Sequence, residues 1–425
     1  MQMSKGENKS CSSIGNQDLQ NTILSINLGN FGSTGTIING ISKTAVIKQY
    51  KVYQAYPNNK NCRPKGKYDI IICSGFFEKI YQKLAFYTGY NGCFSILATL
   101  WFLTKVNKIS PNIVHLHNLH NSYINLPLLF KYIKKYKIPV IWTLHDCWAF
   151  TGQCPHFTLV KCEKWKTGCH DCPQFRSYPS SYVDRTKLMY KLKKKWFTGV
   201  KNMTIVTPSQ WLAGLVKQSF LKDYPVRVIN NGIDLSIFKP MLNDFRNKYR
   251  IPEDKHIVLG VAFGWEKRKG LDVFIALSQK LDSKKYQIVL VGTNDAIDKL
   301  LPKNIISIHR TEDQSDLARM YTSADVFVNP TREENFPSVN IEALACGTPV
   351  VTFNTGGSPE CIDETCGSIV PQNDIDTLAR EVVRICETKP FSKDQCCAHA
   401  RLFDKNDKYI QYIELYEKIS KYSKK

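Results

Sequence analysis

The sequence predicts an α/β protein built from two doubly wound domains, each with a parallel sheet between layers of helices. At 425 residues the chain is longer than one ordinary hydrophobic core requires, and 43% of its residues are hydrophobic. Short apolar strand patterns alternate with helical patterns in two separate series. This alternation is typical of parallel strands that helices cover on both faces.

The first series predicts a Rossmann-like domain at 22–224. Residues 1–21 are polar and lack the apolar core of a signal peptide, so we expect a disordered lead-in there. A buried strand at 22–27 precedes a glycine-containing loop and a helix from Thr36. Gly32 in this loop would let backbone approach a ligand closely, although a plain tight turn explains the glycines about as well. The later strands are predicted at 69–72, 113–117, 140–145 and 204–207, with helices at 94–105 and 127–135.

The second series predicts another Rossmann-like domain at 225–400. Its strands are predicted at 256–262, 287–291, 305–309, 326–329 and 350–353, with helices at 270–281, 315–321, 338–346 and 374–387. The segment 401–425 carries apolar and tyrosine residues at helical spacing from Tyr409 to Ile419. We therefore expect the chain to end in an amphipathic helix.

Two acidic residues frame the strongest candidate site, in the stretch 332–347. Glu334 and Glu342 have seven residues between them, and the apolar residues beside Glu342 predict a helix that Gly347 ends. Glu342 would lie one turn inside the helix and Glu334 in the loop before it. Free N–H groups at the helix start attract anions, and carboxylates accept hydrogen bonds from sugar hydroxyls. The pattern suits a glycosylated diphosphate, and an acidic first turn followed by core packing is the alternative.

The segment 329–360 resembles the signature of glycosyltransferase family 4, through Glu334, Glu342 and the runs 343–351 and 355–360. The resemblance is to retaining enzymes of surface polysaccharide synthesis, such as that of lipopolysaccharide or capsule, which use a nucleotide sugar. It implies the GT-B fold, in which two Rossmann-like domains face each other across a cleft. It also implies that the last helix packs back on the first domain.

The resemblance assigns roles to residues of the donor site. Glu342 would hold the nucleotide ribose, and Glu334 would lie beside the donor sugar near its reacting carbon, in a catalytic role. The stretch between them would contribute to donor binding, and Arg310 would lie near the base. The candidate donor-binding residues of these two regions are Arg310, Asn335, Phe336, Pro337, Ser338 and Val339.

A basic loop before the first predicted helix of the second domain completes the implied donor site. Lys269 would bind the diphosphate, where a cation is needed because the leaving group gains charge as the glycosidic bond breaks. The family commonly has an Arg where this chain has Phe263 and Gly264. Arg268 or Lys267 is therefore the candidate second cation, and a solvated basic loop is the alternative.

Histidines fall at strand ends of the first domain, where ligands gather in open α/β sheets. His145 matches the histidine that the family places beside the donor sugar, which implies a catalytic role; a lone strand-end histidine is otherwise more often structural. His117 and His120 are candidates for the acceptor side. The resemblance implies no enzyme nucleophile, and the leaving phosphate oxygen would deprotonate the incoming hydroxyl. The Asp-x-Asp sequence at 374–376 opens a helix, where capping explains it, in keeping with a metal-independent enzyme.

A cysteine-rich insertion at 147–173 follows His145 and is expected to form a flap over the acceptor side. Four of its cysteines could bind one structural zinc ion and order this long loop, with free thiols or a redox pair as the alternative. The total of 15 cysteines is odd, which argues for reduced thiols rather than a disulfide framework. The candidate zinc ligands are Cys154, Cys162, Cys169 and Cys172.

The net charge of +21 predicts anionic partners. Basic runs at 131–137 and 187–197 mix lysine with aromatic residues and could attract an acidic membrane leaflet that presents a lipid-linked acceptor, or could be solvated helix faces. No apolar run reaches the ~18 residues that a spanning helix needs. We expect a cytoplasmic protein, peripheral at most at the inner face of the membrane.

The sequence therefore predicts a retaining hexosyltransferase that needs no catalytic cofactor. Its partners would be a nucleotide sugar and a glycan or lipid-linked acceptor, and no nucleic acid. The alternative is a basic nucleic-acid-binding protein with a zinc module, but Glu334 and Glu342 would repel a phosphate backbone. An epimerase or phosphorylase of similar fold is a third possibility, and no lysine context indicates a pyridoxal cofactor.

Overall fold

The computed structural model describes residues 21–58, 62 and 66–423. The predicted lead-in, apart from residue 21, lies outside the described residues. The first half consists of these elements: β1 (Thr22–Ile26), α1 (Gly32–Ile47), β2 (Lys51–Asn58), β3 (Asp69–Ser74), α2 (Gly75–Thr88), α3 (Ile96–Ile109), β4 (Ile113–Leu116), α4 (Leu126–Tyr136), β5 (Val140–Thr143), α5 (Thr186–Phe197), β6 (Met203–Thr207), α6 (Gln210–Val216) and β7 (Val226–Val228).

The second half repeats the alternation and ends in a long helix. Its elements are α7 (Phe245–Lys248), β8 (His256–Val261), α8 (Leu271–Lys280), β9 (Tyr286–Val291), α9 (Asp295–Asp298), β10 (Ile305–Ile308), α10 (Gln314–Ser323), β11 (Val326–Asn329), α11 (Ser338–Ala345), β12 (Val350–Phe353), β13 (Gly367–Val370), α12 (Ile375–Thr388), α13 (Lys393–Arg401) and α14 (Lys405–Ser423).

Each half contains a parallel sheet with Rossmann-like strand order. Within the described residues the first sheet runs β3-β2-β1-β4-β5-β6-β7 and the second β10-β9-β8-β11-β12-β13. The order reverses direction beside β1 in the first sheet and beside β8 in the second, and ligands of open α/β sheets bind at such points. The predicted fold class of two doubly wound domains is confirmed.

Both sheets are buried because their strands are apolar on both faces. Residues such as Ile26, Leu116 and Val140 in the first half, and Leu259 and Val350 in the second, are 0% exposed. The helices on either side supply the rest of each core. The carboxyl ends of the strands in each sheet are thereby fixed, and the loops that follow them form the site.

Several boundaries differ from those predicted. The first helix begins at Gly32 rather than Thr36, since Phe31 is the extended residue before it. The patterns of β2, α2 and β13 were not recognised in the sequence. The helix α2 is hard to predict because several of its large apolar side chains face solvent rather than the core.

The predicted boundary between domains falls one residue before the last strand of the first sheet. Val226 lies after that boundary, yet β7 pairs with β6. The first sheet therefore extends to Val228, and the domain limits themselves stay a prediction.

The C-terminal helix α14 packs on the first half. Tyr409, Tyr412 and Tyr416 are buried in one cluster with Ile23 of β1 and Ile37 of α1. A Cβ atom on Gly40 would lie 2.2 Å from the Tyr409 ring, so the two helices touch through the glycine. The chain thus crosses from the second half back to the first.

Candidate active site

A cleft of about 700 Å³ lies between one side of α1, from Gly32 to Ile47, and the start of α11. The segment that joins the two halves and the start of α14 also line it. Both predicted residues Gly32 and Glu342 line it. Other residues that line the cleft are Ser33, Asn231, Gly232, Asp234, Gln314, Ser338, Lys405 and Tyr409.

The start of α11 lies at this cleft, and of its first three N–H groups that of Asn340 donates to the Pro337 carbonyl oxygen at 3.2 Å. Its capping residue, Pro337, is extended and makes no side-chain capping hydrogen bond. The first N–H groups of a helix lack intrahelical acceptors, and the helix dipole adds partial positive charge there. Ser338 at the first helical position lines the cleft. The geometry suits a phosphate group at this end of the helix.

Glu342 lies one turn inside α11, as predicted. Tyr321 Oη donates a hydrogen bond of 3.2 Å to Glu342 Oε2. Burial raises the pKa of Glu342 to about 7, against the smaller lowering effect of hydrogen bonds from Ser338 and Tyr321. The carboxyl group is therefore partly protonated near neutral pH, and it can both donate and accept a hydrogen bond from a diol.

Glu334 in the preceding loop is paired with Lys269. Lys269 Nζ lies 2.6 Å from Glu334 Oε2, and the Asn335 N–H donates to Oε1 at 3.1 Å. Burial alone would raise the pKa of Glu334, but the Lys269 ammonium and these hydrogen bonds hold that pKa below its usual value. The structure thus brings together the two charged groups that the sequence assigned to the donor sugar and the diphosphate.

Two glycines allow the Glu334 loop to approach the next strand end. Gly356 has a φ of +56°, and a Cβ atom there would lie 1.8 Å from the Glu334 carbonyl oxygen. A Cβ atom on Gly357 would lie 1.9 Å from the carbonyl oxygen of Asn335. Any larger residue would push the loop away, so this pair of glycines positions the carboxylate.

Asn335 joins the two halves across the cleft. Its side-chain amide donates to the His145 carbonyl oxygen at 3.0 Å and accepts from Ser209 Oγ at 2.6 Å. The residue is 5% exposed. Its side chain is therefore committed to an interdomain contact rather than free for a ligand.

The partly exposed His145 pairs with the buried His117. Its Nε2 lies 3.2 Å from Nδ1 of His117, and the rings stack with centroids 5.5 Å apart. Burial lowers the pKa of His145 to about 4 and also lowers that of His117. Both imidazoles are neutral at physiological pH, which suits hydrogen bonding to hydroxyls rather than charge stabilisation.

The acceptor-side candidates lie beside this pair. His117 Nε2 is buried and has no hydrogen-bond partner among the described residues. His120 accepts or donates through Nδ1 to Tyr178 Oη at 2.9 Å, and its Nε2 lies 3.5 Å from Asp146. His117 therefore has a free polar atom, whereas His120 is held by its neighbours.

The side chains of three predicted donor-site residues are exposed, paired or buried. Arg310 is exposed. Arg268 is turned toward Glu266 at 3.3 Å and toward the Glu333 carbonyl at 3.4 Å. Phe336 is 4% exposed, so only its backbone can contact a donor. The roles of these residues stay predictions, and Arg268 would have to turn to reach a diphosphate.

Glu333 and Glu360 are interdomain residues that the sequence did not single out. Glu333 Oε1 accepts hydrogen bonds from Leu159 N at 2.7 Å and from Thr158 Oγ1 at 3.2 Å, in the cysteine-rich insertion. Glu360 accepts from the first N–H groups of α6 at 2.6 and 2.7 Å. The sequence offered a signal for Glu333, because it is one of three successive charged residues before a helix that enters the core. Nothing in the sequence pairs Glu360 with α6.

No three of the four predicted zinc ligands have their sulfur atoms within 4.8 Å of one another in the described part of the chain. Cys169 Sγ accepts a hydrogen bond from Gly152 N at 3.1 Å. The groups of three potential ligands that do come within 4.8 Å of one another lie elsewhere, at Asp363, Cys366 and His399 and at Asp295, Asp298 and His309. A zinc ion held by the insertion stays a prediction. The Asp-x-Asp acid at 374 caps α12, as predicted.

Each half of the chain matches a known family model. Residues 71–237 match the family model described as Glycosyltransferase Family 4, and residues 243–400 match the one described as Glycosyl transferases group 1. The matches give no support to the alternative of a nucleic-acid-binding protein with a zinc module.

Individual relatives and solved structures agree with the family models. A protein of Escherichia coli K12 named as a colanic acid biosynthesis glycosyl transferase, WcaC, is 26% identical over 64% of this chain and 67% of its own length. Sucrose-phosphate synthase of Thermosynechococcus elongatus has the same fold, with a TM-score of 0.68 and 19% identity. The match covers 94% of this chain and 99% of the synthase chain. HepE of Anabaena, solved with UDP, has a TM-score of 0.63 at 14% identity, with coverage of 94% and 100%.

Proposed function

The chain belongs to the glycosyltransferases of the GT-B fold, and we propose that it is a retaining enzyme that moves a hexose from a nucleoside-diphosphate sugar to a hydroxyl of a glycan acceptor. The observation that carries the proposal is the cleft in which the open start of α11 and Glu342 face Gly32 of the first half. An anion-binding helix end beside a carboxyl group fits a diphosphate joined to a ribose.

The donor would extend from the cleft toward the pair of Lys269 and Glu334. Its diphosphate would lie on the N–H groups of α11, with the ribose hydroxyls on Glu342. Lys269 would exchange its contact with Glu334 for the diphosphate and stabilise the charge that develops on the leaving group. The released Glu334 would then accept hydrogen bonds from the sugar. The UDP and UDP-glucose complexes of the Anabaena neighbour support a nucleotide-sugar donor.

The acceptor would approach from the side of His117 and His145. The neutral His145 would bind a hydroxyl of the donor sugar, and His117, whose Nδ1 lies 3.2 Å from His145 Nε2, would fix the orientation of that ring. The resemblance implies no enzyme nucleophile, so the leaving phosphate oxygen would take the proton of the attacking hydroxyl on the same face of the sugar. The protein would contribute positioning and electrostatics, and no metal or cofactor.

The names of two relatives support a class of acceptor. The Escherichia coli relative is named for colanic acid biosynthesis, and a Staphylococcus aureus relative, 27% identical over 40% of this chain, is named for capsular polysaccharide biosynthesis. We therefore propose a growing surface polysaccharide or lipid-linked glycan as acceptor, reached at the inner face of the membrane.

Transfer with retention is tested by the anomeric configuration of the product. The purified chain is incubated with extracted lipid-linked glycans and a panel of nucleotide sugars, and the product is analysed by NMR. We expect release of one nucleoside diphosphate and a glycosidic bond with the configuration of the donor. A product of inverted configuration would contradict the retaining mechanism.

A matched pair of variants tests the site. Glu334→Gln should lower turnover at least about 100-fold because the sugar loses a charged acceptor, whereas the exposed Glu364→Gln should not. Equal turnover of the two variants would remove Glu334 from the mechanism.

A further inference from the structure

Helix α2 exposes a face of large apolar side chains and buries an acidic one, together with Ala85 and part of Tyr81. Of its side chains, Glu78 is 4% exposed, whereas Phe76 is 70% and Tyr87 63% exposed. Phe77, Ile80 and Leu84 are also exposed large hydrophobic residues. Positions 76, 80, 84 and 87 share one helical face. A helix that only stabilised the fold would bury this face, so its exposure calls for an apolar environment outside the protein.

Helix α3, the next along the chain, is apolar on both sides. Phe102 and Val106 pack into the core, at 0% and 2% exposed. On the outer side Leu97 is 79% and Trp101 50% exposed, with Ile96 and Leu100 beside them. The inner side accounts for the stability of the helix. The outer side is left without a partner among the described residues.

The exposed charged side chains of these two helices are all positive. Their sequences contain a single acidic residue, Glu78, and it is buried. Lys79 and Lys83 of α2 and Lys108 of α3 are exposed. Lys105 Nζ lies 3.5 Å from the centroid of the Trp101 ring. Lysines beside aromatic and aliphatic side chains are typical of segments that lie in the interface of an anionic bilayer.

We propose that the outer faces of α2 and α3 dock the protein on the surface of an anionic lipid bilayer. The apolar side chains enter the boundary between head groups and acyl chains, and the lysines contact the anionic head groups. This is peripheral attachment: among the residues that the structure describes, no helix is long and apolar enough to cross a membrane. Charge complementarity favours a bilayer over a second copy of this chain, since two such faces would bring like charges together.

The proposed surface differs from the basic runs that the sequence indicated. In the run 187–197, Lys193 and Phe197 are 0% exposed, and Met189 is 2% exposed. Part of that run is therefore core rather than membrane contact. The surface is better defined by exposed apolar residues than by lysine density.

The docking surface is connected to the acceptor side of the cleft through a short segment. Tyr182 N donates to the Phe86 carbonyl of α2 at 2.7 Å, and Tyr178 Oη lies 2.9 Å from His120 Nδ1. A bilayer under α2 would thus lie near the histidines. This step rests on the proposed function. It implies that the docked enzyme acts on the lipid-linked form of the acceptor.

Sedimentation of the full chain with vesicles tests the proposal. Wild type should pellet with phosphatidylcholine mixed with phosphatidylglycerol and only weakly with phosphatidylcholine alone. Either of two independent double variants, Phe76→Ser/Leu84→Ser or Leu97→Ser/Trp101→Ser, should reduce the partition coefficient at least about tenfold. Lys79→Gln/Lys83→Gln should remove most of the preference for the anionic lipid.

Matched controls use equally exposed residues away from this surface. Leu300 and Leu402 are 62% and 63% exposed, and Leu300→Ser/Leu402→Ser should bind vesicles as wild type does. So should Lys135→Gln/Lys137→Gln in the other basic run. Circular dichroism and the melting temperature verify that each variant is folded.

Three results would overturn the docking surface. The first is that wild type does not bind anionic vesicles. The second is that the α2 and α3 variants bind them as wild type does. The third is that the serine variants change the sedimentation coefficient in the absence of lipid. The last result would assign the face to self-association. Vesicle binding without sugar transfer would overturn the proposed function instead, so the two failures are distinguishable.

Discussion

Glu342 combines the position proposed for ribose binding with a cost to stability. The apolar residues beside it and Gly347 were enough to predict that it lies inside a helix. The sequence did not show that burial raises its pKa to about 7, because burial depends on residues that are distant in the chain. Lys269 was likewise assigned to the diphosphate, but its contact with Glu334 requires two loops to meet. The sequence was enough to assign roles to these two residues, but it did not show which side chains they contact.

The raised pKa predicts how stability depends on pH. Between the ordinary carboxyl pKa of 4.5 and the folded value of about 7, the unfolded chain has lost the Glu342 proton and the folded chain retains it. The contribution of Glu342 to the free energy of unfolding therefore falls as pH rises through this window, and the penalty is complete above it. Allowing for partial solvent access, we expect a penalty of about 2 kcal/mol.

Urea unfolding of wild type and Glu342→Gln from pH 5 to 8 measures this contribution. Glu342→Gln should gain stability relative to wild type as pH rises, because the amide has no proton to lose. The exposed Glu364→Gln is the control and should follow wild type. Parallel curves for wild type and Glu342→Gln would show that burial does not shift this carboxyl group.

At the scale of elements, the strands and most helices could be predicted because their patterns are local. The helix α11 begins at Ser338 as expected, and Ser209 caps α6 by accepting from Leu212 N. Prediction failed where an element violates the usual pattern. Helix α2 exposes its apolar residues and buries an acid, so periodicity gave no signal for its orientation. The insertion was correctly placed after His145, but its attachment to Glu333 depends on the second half.

The attachment of the insertion gives a prediction at this scale. Glu333→Ala removes the acceptor of Leu159 N and Thr158 Oγ1 and leaves both donors without it. A hydrogen bond to a charged group contributes about 1.5–3 kcal/mol, so the Leu159 amide should exchange with solvent deuterium at least about tenfold faster. Amides of β5 should be unaffected.

Glu163→Ala is the control, since this acid lies in the same insertion and is 66% exposed. It should leave exchange at Leu159 unchanged. If Glu333→Ala also left it unchanged, the insertion would be held by its own packing and not by the donor loop.

At the scale of the whole molecule, the two halves meet through a few specific polar contacts. Asn335 reaches the His145 carbonyl and Ser209, and Glu360 caps α6. Helix α14 then returns the chain to the first sheet. The resemblance to a known family implied this arrangement, but no local pattern in the sequence did, because each contact joins residues more than 100 positions apart. The site exists only in the assembled molecule.

The measurement that tests the central claim most directly is the melting temperature of the protein with a panel of nucleoside diphosphates. At about 100 times its Kd, a ligand adds about 2.7 kcal/mol to the free energy of unfolding, which raises Tm by several degrees. We predict that one base stabilises wild type and the control Lys284→Ala, at an exposed residue before β9, and that Glu342→Ala and Lys269→Ala lose the shift. If no nucleotide raises Tm, or if both site variants respond as wild type does, the cleft at the start of α11 is not the donor site.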